Sequence, residues 1–349
     1  MKTKISIVDY SILTPYGDSV DSILSYLSLS TKHLPCICRK IDGYDASKYL
    51  GNKGSKYLTM QTKLLLSSII PLWKRRKEFV QNEELGIVTA SCFASTEDLA
   101  ELGTYIQEGD YNKIPPMNSF NFSLNIPSSI ASIKTQAQAF NVTLTSGISS
   151  GYDAICFALD NLKLNIANQI IVSGVEYIGN YIYNQLKIEH SRESFFSDLT
   201  ENSSSILFTT DSVKECVGKI ICYNNNFAPN IDDKFSIDIY KNNIKNTIDE
   251  AEGCKIDLII SGTCGNANVI SIENEIIHIF FPDIPIIRYQ DMLGKLLSSN
   301  GIVQYILACS ILKNNKFYNC TAQKESIFHN ILIIYMGFDG YIYSSVISK

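Results

Sequence analysis

The chain has 349 residues, 45% of them hydrophobic and 19% charged, with a formal net charge of −5. That length and apolar content suffice for a substantial core and exceed what one small domain uses. No basic stripe interleaved with aromatics is present, which excludes nucleic acid as the expected partner. The apolar runs fall short of the roughly 20 residues that cross a bilayer, which excludes a membrane span.

Short β-branched runs alternate with helical spacing along the whole chain, and no Pro- or Ser-rich linker divides it. Residues 5–8 read as a strand, 19–29 as a helix, 56–72 as a helix, 85–89 as a short buried strand and 97–107 as a helix. A helix over 125–140 starts near Pro127 in its first turn. A strand over 142–144, a helix over 151–162 and a strand over 169–173 follow. Residues 206–209 and 219–223 read as two adjacent strands. The rhythm then repeats: helix 240–252, strand 256–261, helix 273–280, strand 284–287, a long apolar helix 301–312, and a closing pair of strands at 331–335 and 341–347. Apolar strands alternating with helices imply an α/β protein with sheets covered on both faces. The repeated rhythm predicts two pseudo-duplicated halves, residues 1–217 and 218–349.

Ten cysteines are scattered along the chain. Only Cys36 and Cys38 are close together, and no cysteine or histidine spacing suits a metal, so no metal or cofactor is expected. The pattern reads as reduced thiols of a cytoplasmic protein. The N-terminus reads as a strand and turn rather than a signal peptide.

Four segments then follow one another in a telling order. Residues 7–17 (IVDYSILTPYG) carry an opening strand and a T-P-x-G turn. Residues 144–155 (LTSGISSGYDAI) are similar to a nucleophile elbow, T-A-C-x-S-G-x-x-A-I. Residues 256–273 (IDLIISGTCGNANVISIE) are similar to D-x-x-x-x-H-G-T-G-T…E. Residues 286–301 (IIRYQDMLGKLLSSNG) are similar to T-K-x-x-x-G-H-x-x-x-x-x-G. Gly337-Phe338-Asp339-Gly340 resembles a terminal G-F-G-G loop. Together these resemble the β-ketoacyl synthase family across nearly the whole chain. The resemblance implies a thiolase-like, five-layer αβαβα sandwich of two pseudo-duplicated halves.

The departures fall on the chemistry. The resemblance puts Ile148 at the nucleophile, Ser261 at the first catalytic histidine, Gln290 at the lysine and Lys295 at the second histidine. A condensing enzyme needs a thiolate at a helix N-terminus and imidazoles that stabilise an enolate. Isoleucine cannot attack a thioester, so no catalytic residue is expected. The retained glycines point to a preserved backbone. The chain thus resembles the chain-length factor of a bacterial type II polyketide synthase, the silent partner of an active ketosynthase. That subfamily usually carries Gln at the nucleophile position, and Ile148 departs from it.

The resemblance further implies a heterodimer with an active ketosynthase, an acyl carrier protein bearing the malonyl or polyketide chain, and a tunnel whose length this subunit sets. Phe93, Thr96 and Ala100, spaced i, i+3, i+7, are the candidate tunnel residues on one helical face. The aromatic stretch at 117–122 is a second candidate surface. An aromatic product is favoured over an aryl-polyene-type one, because loss of the whole triad fits a dedicated length-setting subunit. Two other classes stay open: a divergent acyltransferase using Cys92, Cys264 or a serine near the elbow, and a homodimeric binding protein. Ser146, Ser149 and Ser150 read as turn serines and Cys156 as a core thiol. His33, His190 and His278 read as surface or structural residues and His329 as a satisfied buried one. An unpartnered subunit of this kind is expected to expose an apolar face and to be poorly soluble alone.

Overall fold

A computed structural model describes residues 4–29, 36–51, 54–114, 122–190, 197–210, 216–229, 234–264, 267–319, 322–325 and 327–349. His33 and residues 117–121 of the aromatic stretch lie outside these. Among the described residues, one ten-stranded sheet organises the chain. Its first five strands are β1 (Ile5–Leu13), β2 (Leu85–Ala90), β3 (Phe140–Leu144), β4 (Gln169–Glu176) and β5 (Asn202–Thr209). The other five are β6 (Gly218–Phe227), β7 (Leu258–Ser261), β8 (Ile286–Ile287), β9 (Asn330–Met336) and β10 (Tyr341–Ser348). Across the sheet the order is β3-β2-β4-β5-β1-β6-β10-β9-β7-β8.

That order is a palindrome under the exchange of each strand with the one five later. Strand β2 runs parallel to β3 and β4, and β7 parallel to β8 and β9. Strand β5 is antiparallel to β4 and β1, and β10 antiparallel to β9 and β6. The two sets join only where Ile5–Ile7 of β1 meet Gly218–Ile220 of β6. Residues 206–209 and 219–223 are therefore not neighbours, because β1 inserts between them. Each pairs with β1 on one side, and on the other 206–209 pair with β4 and 219–223 with β10.

The helices repeat the same correspondence. The nine longer ones among the described residues are α1 (Val20–Leu29), α2 (Met60–Arg76), α3 (Thr96–Glu108), α4 (Ile126–Thr135), α5 (Ser150–Lys163), α6 (Asn180–His190), α7 (Lys234–Glu250), α8 (Ala267–Phe280) and α9 (Asn300–Asn314), with single turns at Ser47–Leu50 and Gln290–Leu293. Between equivalent strands, α2 matches α7, α4 matches α8 and α5 matches α9. Helix α4 stops at Thr135, short of the expected 140, because Gln136 turns left-handed at its end and Phe140 already opens β3. His329 is exposed rather than buried, and its backbone N–H donates to Asp257 at 2.7 Å.

The layering follows from which face each strand residue takes. Along β4, Ile170 and Val172 face the middle of the molecule, whereas Ile171 and Val175 face α2. Along β9, Ile331, Ile333 and Tyr335 face the middle, whereas Leu332, Ile334 and Met336 face the outer helices. A strand buried on both faces reads as a near-continuous apolar run, as Ile170–Val172 and Ile331–Tyr335 do, and the buried Ser173 and Glu176 of β4 are hydrogen-bonded. Helix α9 is buried from Asn300 to Leu312 on every side, as a helix in a central layer must be. The result is a five-layer αβαβα sandwich with α5 and α9 in the middle.

The central helices touch through glycine. Gly151, the second residue of α5, lies against the carbonyl oxygen of Ser298, and any side chain there would overlap it. Gly301, the second residue of α9, faces Tyr152, whose ring would lie 2.9 Å from an added Cβ. Gly151→Ala is expected to cost about 3 kcal/mol or more, the scale of an overpacked core site. Gly103→Ala, in α3 with nothing within 4 Å of the added methyl, is expected to gain about 0.5–1 kcal/mol. Urea denaturation of both variants checks the pair.

Candidate functional site

The elbow sits where β3 leads into α5. Gly147 has φ +88°, the left-handed region open to glycine, and a single 3-10 turn over Gly147–Ser149 follows. The equivalent turn before α9, Leu297–Ser299, has Leu297 at φ +47°. A leucine in that conformation is strained by about 1–3 kcal/mol. It is held there because its side chain is buried beside Ile148.

Ile148 is 6% exposed. It packs in a closed apolar cluster with Ile178, Ile182, Leu186, Leu199 and Leu297, and Cys92 and Phe93 lean against that cluster. The tip of the elbow, which would carry a nucleophile, is an apolar plug.

Of the other three positions, Ser261 ends β7, and Gln290 and Lys295 lie in the segment that follows β8. Ser261, at the end of β7, donates to Glu273 at 2.6 Å and accepts from the Thr263 N–H. Glu273 is fully buried. It also accepts from Tyr240 and Thr263 and pairs with Arg288. Ser261 is thus a member of a buried hydrogen-bond network around Glu273. Gln290 donates to the Gly262 carbonyl and accepts from the Leu296 N–H at 3.3 Å, so it staples two loops together. Lys295 is half-buried, its backbone bonded to Asp198 and Thr200. Burial lowers its ammonium's pKa, partly offset by Cys264 and Asp198.

The alternative nucleophiles are equally poorly placed. The Cys92 thiol is pushed far above its usual range by burial and by the carboxylates of Glu176 and Asp339. Cys264 is pushed up to about 12, mainly by burial, with Lys295 opposing. Cys156 is pushed up to about 12, again by burial. A reactive cysteine needs the opposite environment. Ser146 donates to Asp153, Ser150 to the Gly147 carbonyl at 2.6 Å, and Ser149 to Asp339 at 2.6 Å. Each serine bonds an acceptor that is no general base of the histidine kind. All nine described cysteines are free thiols, and no group of three potential metal ligands forms among the described residues. No described helix is long and apolar enough to cross a membrane.

The three tunnel candidates do not share a helical face. Phe93 precedes α3, and Ala94 between them is left-handed at φ +46°, so the helical spacing breaks there. Phe93 packs inward beside the elbow cluster, Thr96 is exposed at the start of α3, and Ala100 is half-buried. Ala100 lines a polar cleft with Glu97, Asp98, Glu101 and Tyr177. In that cleft burial and the neighbouring Glu101 and Glu97 push Asp98 up to about 6.

Two acids at the elbow were not singled out by sequence reasoning. Glu176, fully buried at the end of β4, accepts the backbone N–H groups of Cys92 and Phe93. Asp339, in the loop between β9 and β10, accepts from Ser149. Each had a visible signal: an acid ending the apolar run QIIVSGVE, and an Asp where the G-F-G-G loop has Gly.

No protein family matches the sequence, and no curated protein matches it. Solved structures do match. A β-ketoacyl synthase from Burkholderia phymatum STM815 aligns over 100% of both chains at 12% identity, with a TM-score of 0.82. A type II polyketide acyl-carrier protein complex with its ketosynthase bound to the hexaketide aligns over 100% of this chain and 99% of that one, at 15% identity and TM-score 0.81. A ketosynthase in complex with its chain length factor from Xenorhabdus doucetiae aligns over 99% and 98%, at 14% identity and TM-score 0.77.

Glu176 gives the site a pH signature. Burial raises its carboxyl to about 7, from an ordinary 4.5, against the bonds from Cys92 and Phe93 that lower it. The folded state therefore holds the proton more tightly than the unfolded one. Its contribution to stability grows as pH falls from 7 to 4.5 and is lost as pH rises through 7. Glu176→Gln is expected to stabilise the protein at pH 8 by about 1–3 kcal/mol and to flatten this dependence. Urea melts at pH 5 and pH 8 check this, and parallel pH profiles for both proteins would contradict it. From end to end, the chain has the thiolase-like fold of the β-ketoacyl synthases and chain-length factors.

Proposed function

We propose that this chain is the non-catalytic, chain-length-factor-type subunit of a type II polyketide ketosynthase, acting in the cytoplasm. It would pair with an active ketosynthase and shape the tunnel that measures a chain delivered by an acyl carrier protein. The observation that carries this reading is the elbow: a preserved turn and helix whose tip is Ile148, sealed in an apolar cluster. A nucleophile cannot operate from that position, yet the backbone that would present one is intact. The ketosynthase partnered by a chain length factor in one matched structure supports the same reading.

The first half offers the surface such pairing needs. Strand β3 is the outer edge of the sheet, open to pairing with another chain. In the same half Leu99, Ile106, Tyr111, Leu124 and Ile133 are each at least 45% accessible. A division at 217/218, between the half bearing this edge and the half bearing β6–β10, is part of the proposal. We favour an aromatic product over an aryl-polyene-type one, on the loss of all catalytic positions together.

Phe93 is the tunnel residue best supported, since it packs against the elbow cluster. Thr96 and Ala100 would line the tunnel only where a partner covers their surface. Co-expression with the ketosynthase of the same gene neighbourhood is expected to give a one-to-one complex on size-exclusion chromatography. In that complex Phe93→Ala should lengthen the polyketide by one or more two-carbon units, and Ala100→Phe should shorten it. An active homodimer without a ketosynthase, or unchanged product lengths in both variants, would overturn the reading.

A further inference from the structure

The plug is not the only thing that silences the elbow. Ser149 is the N-cap of α5, yet its side chain makes no capping bond. It donates instead to Asp339 at 2.6 Å, and its oxygen lies 3.2 Å from the Tyr335 hydroxyl, which can donate to it. Asp339 is braced in turn by the Tyr341 N–H at 3.3 Å. A helix N-terminus is where an incoming anion finds unpaired N–H groups and the positive end of the helix dipole. Here a carboxylate of the chain itself is bound to the capping residue.

We propose that Asp339 is a built-in occupant of the elbow's anion-stabilising corner, which excludes malonyl carboxylates and thioester oxyanions independently of the identity of residue 148. The proposal rests on the reading of this chain as a silent subunit and names the residue that enforces it. Acyl transfer to a thiol at position 148 requires a thiolate before attack and an oxyanion after it, and both are negative. Ser149 beside that position, Ser146 two residues before it and Cys92 packed on its cluster are each bonded to an acid. Asp339 comes from the β9–β10 loop and Asp153 from α5, where it holds Ser146. Glu176 comes from β4, behind Cys92. Lys295 sits by Cys264 and Asp198, and Arg39 is paired with Asp198. Replacing Ile148 alone would therefore not create a working nucleophile.

The experiment introduces a thiol by Ile148→Cys, alone and with Asp339→Asn or Asp153→Asn. Iodoacetamide alkylation of the peptide containing position 148 is followed against pH by mass spectrometry. This reads the same in the free chain or in a complex. In the single variant the introduced thiol is expected to titrate above the ordinary value of about 8.5. Adding Asp339→Asn, which keeps the shape and an acceptor for Ser149, should lower that midpoint by at least one unit. It should also raise the alkylation rate at pH 7 about ten-fold, in step with the thiolate fraction. Asp153→Asn should give less than half that shift. Equal midpoints with and without Asp339→Asn would overturn the proposal, and so would an equal shift from Asp153→Asn. Neither result depends on a partner, so failure to form a heterodimer would count against the proposed function and leave this assignment standing.

Discussion

The approach of Gly151 to the carbonyl of Ser298 is the contact on which the rest of the structure depends. It brings the starts of α5 and α9 together at the point where the two halves of the fold are equivalent. Both turns at that point, Gly147–Ser149 and Leu297–Ser299, then face the same small volume. Polar bonds lock the arrangement: Asn300 donates to Tyr152 at 2.9 Å and to the Gly262 carbonyl at 3.0 Å, and Gln304 donates to the Ile260 carbonyl at 3.0 Å. Such a satisfied buried network fixes one arrangement of the layers rather than adding much net stability. In a condensing enzyme this geometry aims nucleophile and imidazoles at one point. Here the same geometry aims Ile148 and Leu297 at each other.

The residues at the positions that resemble a catalytic set are also residues that hold the fold together. The positions that the resemblance aligns with catalytic residues are each occupied structurally. Ile148 fills an apolar space, Ser261 joins the Glu273–Arg288 network, and Gln290 ties the Gly262 carbonyl to the Leu296 N–H. Burying Glu273 without Arg288 and its hydroxyl donors would leave an uncompensated charge, which is strongly destabilising. Reinstating a histidine at position 261 would have to break that arrangement. Packing and hydrogen bonding at these positions contribute to the stability of the fold.

Much of this was legible before any coordinates, for physical reasons. Strands buried on both faces announce themselves as continuous β-branched runs, so β4, β7, β9 and β10 were readable, as was the all-round apolar α9. The glycines of the elbow were readable because only glycine allows Gly151 to meet Ser298. What escaped was the long-range part. That β1 separates β5 from β6 is a matter of pairing across some 200 residues of chain, and local patterning does not encode it. The break at Ala94 is a single left-handed residue with no glycine to flag it, so the spacing of Phe93, Thr96 and Ala100 looked helical. Asp339 and Glu176 were visible as residues, but their meeting with Ser149 and with the Cys92 amide depends on strand ends converging from both halves.

The central claim is that the elbow of this chain never carries an acyl group while that of its partner does. The most direct test loads the purified heterodimer from its acyl carrier protein and takes intact mass spectra of both subunits under denaturing conditions. The account predicts acyl mass on the ketosynthase alone, with this chain unmodified at every time point. A stoichiometric acyl adduct on this chain, at Cys92, Cys264 or any serine of the elbow, would contradict it.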